Sequence, residues 1–382
     1  MTAAATSAGS DLPTVENVFR SQRPHLGIGQ PLGALSIFEH SILPSFSLHG
    51  GLSMIACGIA YSTNRVELKD YLWPSGMVLN AWYTAVGRHV LSAPHPSVSE
   101  VLGNLSYSQR LLLGAVTAWG GRLFYRIVKR SVRRGKDDPR YENVKDQNYF
   151  WHKAPLLFGL EAVFQTLISL PFTLPFRADL FSRFTGAPTN WASTVRWTAA
   201  GLFTAGLALE TLADWQLDSH KQQEETEEQD QGKRQHGDIL QTGVWSIARN
   251  PNYLGDALIH LSFPLWCYGS QLFSYSQLLG PIANYFFLRW IGGDREKESY
   301  QLARYKAQDR HKHAQMESYQ LQKHAFWPSI LEIANPWTWI VTGIGAAGAA
   351  AEYLYESRIV AATAPANLVN PVVGETLAAL ES

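Results

Sequence analysis

Cysteine is almost missing from this chain of 382 residues: Cys57 and Cys267 are the only two, and both sit in apolar runs. That excludes a disulfide-framed secreted scaffold. Charge is scarce as well. Charged residues make 17% of the chain, against about 25% in ordinary soluble proteins. Neither sign is in excess, because Lys+Arg and Asp+Glu each number 32; no basic surplus exists to hold nucleic acid. Residues 1–35 also lack a targeting signal: no basic stretch precedes an apolar core, and Asp11 and Glu16 oppose a transit peptide. We expect a polar arm there.

What the chain does have is apolar and aromatic. Its mean hydropathy of −0.12 would suit a soluble protein, but that value averages apolar blocks with very polar loops. Blocks near the length of a bilayer crossing, about 20 residues, fall at 46–63, 75–93, 109–128, 154–176, 195–217, 253–274, 276–291 and 337–356. The expected fold is therefore all-α: a polytopic transmembrane bundle of about seven to eight helices with no Rossmann domain. Residues 36–336 form the main membrane domain in this reading, 337–356 a C-terminal transmembrane helix and 357–382 a disordered tail.

Loop charge sets an orientation. Arg126, Lys129, Arg130, Arg133, Arg134, Lys136, Arg140, Lys145 and Lys153 crowd one connection, which the positive-inside rule places in the cytosol. Alternation then puts 218–250 and 292–336 on the same face, and the sequon Asn104-Leu105-Ser106 on the other. The run Glu224-Glu225-Thr226-Glu227-Glu228-Gln229-Asp230 reads as a solvated loop. The expected location is an integral membrane, that of the endoplasmic reticulum.

Near the C-terminus, Gly343-Ile344-Gly345-Ala346-Ala347-Gly348 spells G-x-G-x-x-G. A dinucleotide fold needs a strand-helix-strand unit and an acid about 20 positions further on; neither follows. A membrane helix with small residues for close packing is the expectation.

The informative stretch runs from 206 to 256. Glu210, Asp214 and Asp218 are spaced i, i+4, i+8, which puts three carboxylates on one helix face. An acid inside a membrane costs at least ~2.5 kcal/mol on insertion scales, which makes Glu210 and Asp214 functional candidates. Further on, Gly243-Val244-Trp245 leads to Arg249-Asn250-Pro251-Asn252-Tyr253-Leu254-Gly255-Asp256. Asn250 suits an N-cap and Pro251 a first helical turn. The helix N-terminus beside Arg249 would attract an anion. Asn252 and Asp256 share a face, and an amide with a carboxylate can hold a carboxamide and ribose hydroxyls. No metal is expected.

These residues resemble the C-terminal domain of the steroid 5-alpha-reductase family, in particular its DUF1295 branch. That branch has an acid before Ala-Asp-x-Gln, then Gly-x-Trp, then Arg-His-Pro-Asn-Tyr-Phe-Gly-Glu. This chain supplies Glu210, Ala213, Asp214, Gln216, Gly243, Trp245 and the run 249–256, with Asn250, Leu254 and Asp256 as departures. Trp119-Gly120-Gly121-Arg122-Leu123, Asp138-Pro139-Arg140-Tyr141, Gln165 before Ser169-Leu170-Pro171, and Phe326-Trp327-Pro328 extend the likeness over about 115–330. The resemblance implies a helical membrane enzyme that binds NADPH in a cytosol-facing cavity. Such enzymes move hydride to a carbon–carbon double bond conjugated to a carbonyl, in a lipophilic, sterol-like or isoprenoid-like substrate. Carried over by residue, Glu210, Asp214, Asn252, Tyr253 and Asp256 would contact the cofactor with Arg249 beside them, and Arg289 matches a family arginine. The family's following His and Tyr find Gly293 and Lys297 here and are not carried over.

The chemistry adds its own demands. Phosphates need cations, for which Arg249, Arg289, Arg295 and Lys297 are available. An enone reductase also needs a group to meet the developing enolate in a dry pocket. Glu161, with Gln165 one turn on, and Tyr125 near Arg122 are the candidates. Two other functions stay open: an S-adenosylmethionine-dependent membrane methyltransferase of the isoprenylcysteine type, sharing the Arg-x-Pro-x-Tyr pattern, and a non-enzymatic lipid-binding membrane protein.

Overall fold

The computed structural model describes residues 34–363 except 93–94, 146–148, 178–183 and 232–237. Most of the expected polar arm and of the expected tail, at 1–33 and 364–382, lies outside the described residues. The described chain is helical. No strand forms in it; one isolated bridge joins Thr185 to Phe273.

A π turn, Phe38–Ile42, runs into α1, Leu43–Thr63. Together, Phe38–Thr63 is the one helix among the described residues long and apolar enough to cross a membrane. Ile55 and Ile59 stay exposed on it. Asn64, in the left-handed region at φ 53°, ends α1. Helix α2, Leu68–Trp82, continues through a π segment to Val90. Helix α3, Tyr107–Arg134, starts at a capping box in which Ser106 accepts from the Gln109 amide and the Gln109 side chain accepts from the Ser106 amide. The serine of the sequon is thus part of a helix cap. Helix α4 is Phe150–Ile168; beyond it, Pro171 and Pro175 replace the expected end of the span with two 3-10 turns.

Helix α5 departs most from expectation. It runs from Thr189 to Gln231, 43 residues, or about 65 Å. The acidic run expected as a loop is its last turns. Cross-helix pairs hold it there: Arg133 to Glu225 at 2.6 Å and Lys312 to Glu224 at 3.0 Å. Helix α6 is Pro251–Gly269, and α7, Leu279–Phe286, continues as a π turn to Ile291. Two polar helices follow, α8 (Asp294–Gln308) and α9 (Arg310–Gln322). Helix α10, Pro336–Thr363, carries the glycine motif and extends past the expected boundary at 357.

Small residues let these helices meet. A methyl added at Gly206 of α5 would lie 2.6 Å from the Gly255 carbonyl of α6. One on Gly348 of α10 would strike the Thr204 side chain of α5, and one on Gly345 would meet the Gly201 carbonyl at 2.9 Å. Within the G-x-G-x-x-G run, Gly345 and Gly348 supply the expected close packing, whereas Gly343 faces open space. Side-chain contacts fix the ends of the bundle. Arg134 of α3 reaches Glu67 before α2 at 2.9 Å, and Asn335 before α10 donates to Ser246 at 2.9 Å. At the opposite end Tyr107 donates to Glu352 at 2.6 Å and Trp197 to Glu356 at 2.9 Å. The described parts of 129–153, 218–250 and 292–336 therefore gather at one end.

Candidate functional site

The carboxylate face of α5 meets an arginine face of α3. Arg122 Nη1 lies 2.6 Å from Glu210 Oε1 and also pairs with Asp214; Arg126 lies 2.8 Å from Asp214 and 2.9 Å from Asp218. Two cations four residues apart answer three acids at the same pitch. Glu210 and Asp214 are both buried, and Glu210 Oε2 has no hydrogen-bond partner.

The neighbouring family-like residues are scaffolding. Gln216 accepts from the Val244 amide at 2.9 Å, and the Trp245 indole donates to the Ala213 carbonyl at 3.0 Å. Gly243 turns between them at φ 67°, and a methyl there would strike Gln216. This clamp seats the segment before α6 against α5.

The α6 terminus differs from its sequence reading. Asn250 precedes the helix but its side chain does not cap it. Its Nδ2 donates to Glu298 at 2.7 Å and to the Ala325 carbonyl at 3.1 Å, and its Oδ1 accepts from Lys297 at 3.1 Å. Arg249 forks onto Glu298, at 2.8 and 3.1 Å, and also donates to the Lys323 carbonyl. It is committed to protein rather than free for a phosphate. These donors hold Glu298 below the usual carboxylate range in spite of burial. Asp256 pairs with neither Arg249 nor open space: it accepts from Trp119 at 2.9 Å and from Asn284 at 2.9 Å. Asn252 is different. Its Oδ1 is buried and has no partner.

Arg126, Glu210, Asp214, Trp245, Arg249, Asn250, Asn252, Asp256, Lys297 and Glu298 line one cavity of about 570 Å³, whereas Arg122, Asp218, Trp119 and Asn284 support it from behind. That is within the range of small-molecule sites, about 300–1,000 Å³. Its mouth carries Arg130, Lys221, Lys297 and Arg304. Burial, then the charge of Arg130, lowers Lys221 from its ordinary value. Burial, with Lys221 and Arg130 near and Glu298 opposing them, pushes Lys297 down to about 8. These cations lower one another's pKa, as closely spaced like charges do. Lys297 also sits 5.4 Å from the rings of both Trp245 and Tyr253.

The facing wall ends a continuous chain of alternating charge. Arg65 pairs with Glu67, Glu67 with Arg134 at 2.9 Å, Arg134 with Asp138 at 2.6 Å, and Asp138 with Arg140 at 3.0 Å. Arg140 meets Asp70 at 3.2 Å, Asp70 meets Lys69 at 3.2 Å, and Lys69 meets Glu161 at 2.5 Å. Burial opposes the Lys69 charge, yet Glu161 and Asp70 hold it well above its ordinary value.

Glu161 therefore lines the cavity as the partner of Lys69. Gln165, one turn on, lies elsewhere, in a buried group with His49. Tyr125 is 65% exposed on the outside of α3. Arg289 pairs with Asp294 and stacks over Phe326, and Arg295 stacks over Trp290; neither lines the cavity. Glu210, Asp214, Arg249, Asn252, Tyr253 and Asp256 do line it. Sequence reading missed Lys69, Lys221 and Arg304. Lys69 stands between two apolar blocks and the other two lie in polar segments, so no periodicity singles them out.

Among curated proteins and solved structures, none matches the chain. Residues 57–318 match DUF1295, a family described as a protein of unknown function, and the matched span holds every residue of this cavity except Tyr319. The chain belongs to the DUF1295 family.

Proposed function

We propose that this protein is a membrane-embedded NADPH-dependent reductase, akin to the steroid 5-alpha-reductases, acting on a carbon–carbon double bond conjugated to a carbonyl in a lipophilic substrate. One observation carries the reading: one cavity joins a mouth lined by Arg130, Lys221, Lys297 and Arg304 to a buried interior holding the partnerless Asn252 Oδ1. The residues fit the cofactor. Arg130, Lys221, Lys297 and Arg304 suit phosphate oxygens, and Asn252 Oδ1 suits the amide hydrogens of a carboxamide. When bound, NADPH supplies a hydride. The chain's own residues do the rest. Arg122 and Arg126 lock Glu210 and Asp214 in place, so the carboxylates present fixed acceptors for hydroxyls. Trp119 and Asn284 hold Asp256 the same way. Trp73, Leu123, Leu157 and Phe287 give the inner walls an apolar character that excludes water.

Membrane residence rests on the apolar Phe38–Thr63 helix and on exposed side chains such as Leu156, Ile282 and Trp339. The cationic connections support a cavity mouth on the cytosolic face, and we assign the protein to the endoplasmic reticulum membrane. Thermal stabilisation of the detergent-purified chain tests the reading. NADPH is expected to raise the melting temperature more than NADH, since the extra phosphate meets the cations. Equal shifts with both nucleotides would remove the cationic argument. A shift with S-adenosylmethionine alone would favour the methyltransferase reading.

A further inference from the structure

The cavity has a second end that the nucleotide-binding groups leave unused. Trp73 of α2 stacks on Phe287 with ring centroids 4.2 Å apart, and Leu157 and Leu160 of α4 stand on the same walls. Lys69 lies one helical turn before Trp73 and also lines the cavity. An ammonium has three N–H donors. Lys69 directs two of them at carboxylates, Glu161 Oε1 at 2.5 Å and Asp70 Oδ1 at 3.2 Å; the third has no hydrogen-bond acceptor among the described residues, and the ammonium sits 5.1 Å from the Tyr141 ring centroid. The other donors nearby are committed: Tyr141 donates to Asp70 at 2.9 Å, and Arg140 pairs with Asp70 and Asp138. Glu161 is an acceptor that orients Lys69.

We propose that Lys69 receives the oxygen of a lipophilic carbonyl substrate and stabilises the negative charge that develops on it. The assignment rests on the reductase reading above. When the β-carbon of the enone gains hydride, a C–H bond forms there and the double-bond pair moves toward the carbonyl. Charge builds on the oxygen, beside the ammonium. A solvent proton then bonds to the α-carbon as the carbonyl re-forms; the product is the saturated ketone and NADPH leaves as NADP⁺. Lys69 is unchanged at the end. Glu161 and Asp70 are positioning residues, fixing the ammonium where water is scarce.

The test uses the detergent-purified full chain and β-ionone, an isoprenoid enone whose absorption moves to the red when its carbonyl is polarised. Lys69→Met alone would leave Glu161 without its partner, so it is combined with Glu161→Gln. Wild type is expected to red-shift bound β-ionone, and the double variant to lose the shift. NADPH oxidation should fall on the order of a hundredfold with nucleotide affinity unchanged. Lys69→Arg, which keeps the charge and its pairing, should retain the shift. If the double variant does not fold, Lys69→Gln with Glu161→Gln replaces it and should shrink the shift. A full shift in either double variant, or none in wild type, overturns the Lys69 assignment. A Lys69-dependent shift in a wild-type protein that binds no NADPH overturns the reductase reading and leaves the carbonyl site standing.

Discussion

Lys297 holds its proton loosely, with consequences on both sides of pH 8. It hydrogen-bonds Asn250 at 3.1 Å and has a pKa of about 8 against an ordinary 10.5. Below pH 8 the amine is charged and attracts an anion; above it the attraction fades. We therefore expect NADPH affinity to decline as pH rises through 8, measured by fluorescence titration, and Lys297→Arg to flatten that profile. Stability should run the other way. Between about pH 8 and 10.5 the unfolded chain keeps a proton that the folded one has released, so Lys297 makes stability rise with pH in that window. Asp256 supplies a second test. From the sequence alone, restoring the family glutamate looks harmless. In the fold, both carboxylate oxygens are engaged by Trp119 and Asn284. A longer side chain must displace one of them, so Asp256→Glu should cost about 1–3 kcal/mol of stability, visible as a lower melting temperature. Asp256→Ala leaves two buried donors unpaired and should cost more.

At the scale of helices, the α5–α6 crossing sets the site. Gly206 and Gly255 bring the backbones close enough for Glu210 and Asp214 to share a cavity with Asn252 and Asp256. Gly206→Ala, whose methyl would sit 2.6 Å from a carbonyl oxygen, should lower stability by roughly 1–3 kcal/mol. It should also weaken nucleotide binding, as thermal denaturation with and without NADPH would show. Much of this level was legible in the sequence. The i, i+4, i+8 carboxylates did fall on one face, and Pro251 did open a helix. What local pattern could not reveal was the partner of each group. Arg249 and Asn250 look available until Glu298 and the 320–325 segment fold back onto them. The acidic end of α5 looked like a loop because its helix depends on Arg133 and Lys312, about 90 positions away.

For the whole molecule, the decisive arrangement is that three polar connections meet at one end while apolar faces turn outward. Cysteine-accessibility labelling reads this directly, because Cys57 and Cys267 are buried and give little background. Single cysteines at the exposed positions Lys136, Gln222 and Gln322 should react from one side of a sealed vesicle, and those at Ser99 and Tyr275 from the other. Reaction of Gln222 and Ser99 from the same side would break the proposed topology. All-helical architecture could be read from composition and block length. The cavity could not, because its walls come from α2 to α9 and their adjacency is a property of the packed bundle alone.

Distance along the chain gives the ion pairs a history. Lys69 and Glu161 are 92 positions apart, as are Arg122 and Asp214, Arg126 and Asp218, and Arg133 and Glu225. In each pair the cation is synthesised first. At ribosomal speeds of about 5–20 residues per second, it waits roughly 5–18 seconds for its acid. During that interval the nascent protein is strongly basic at one end, although the finished chain carries a formal net charge of +0. In the proposed membrane setting, anionic headgroups of the bilayer are the partners within reach while the acids are still unmade. In the proposed topology, the side of the membrane is thus chosen by an unbalanced intermediate. The later acids, arriving on α4 and α5, pair with those cations and cancel the charge asymmetry of the nascent chain.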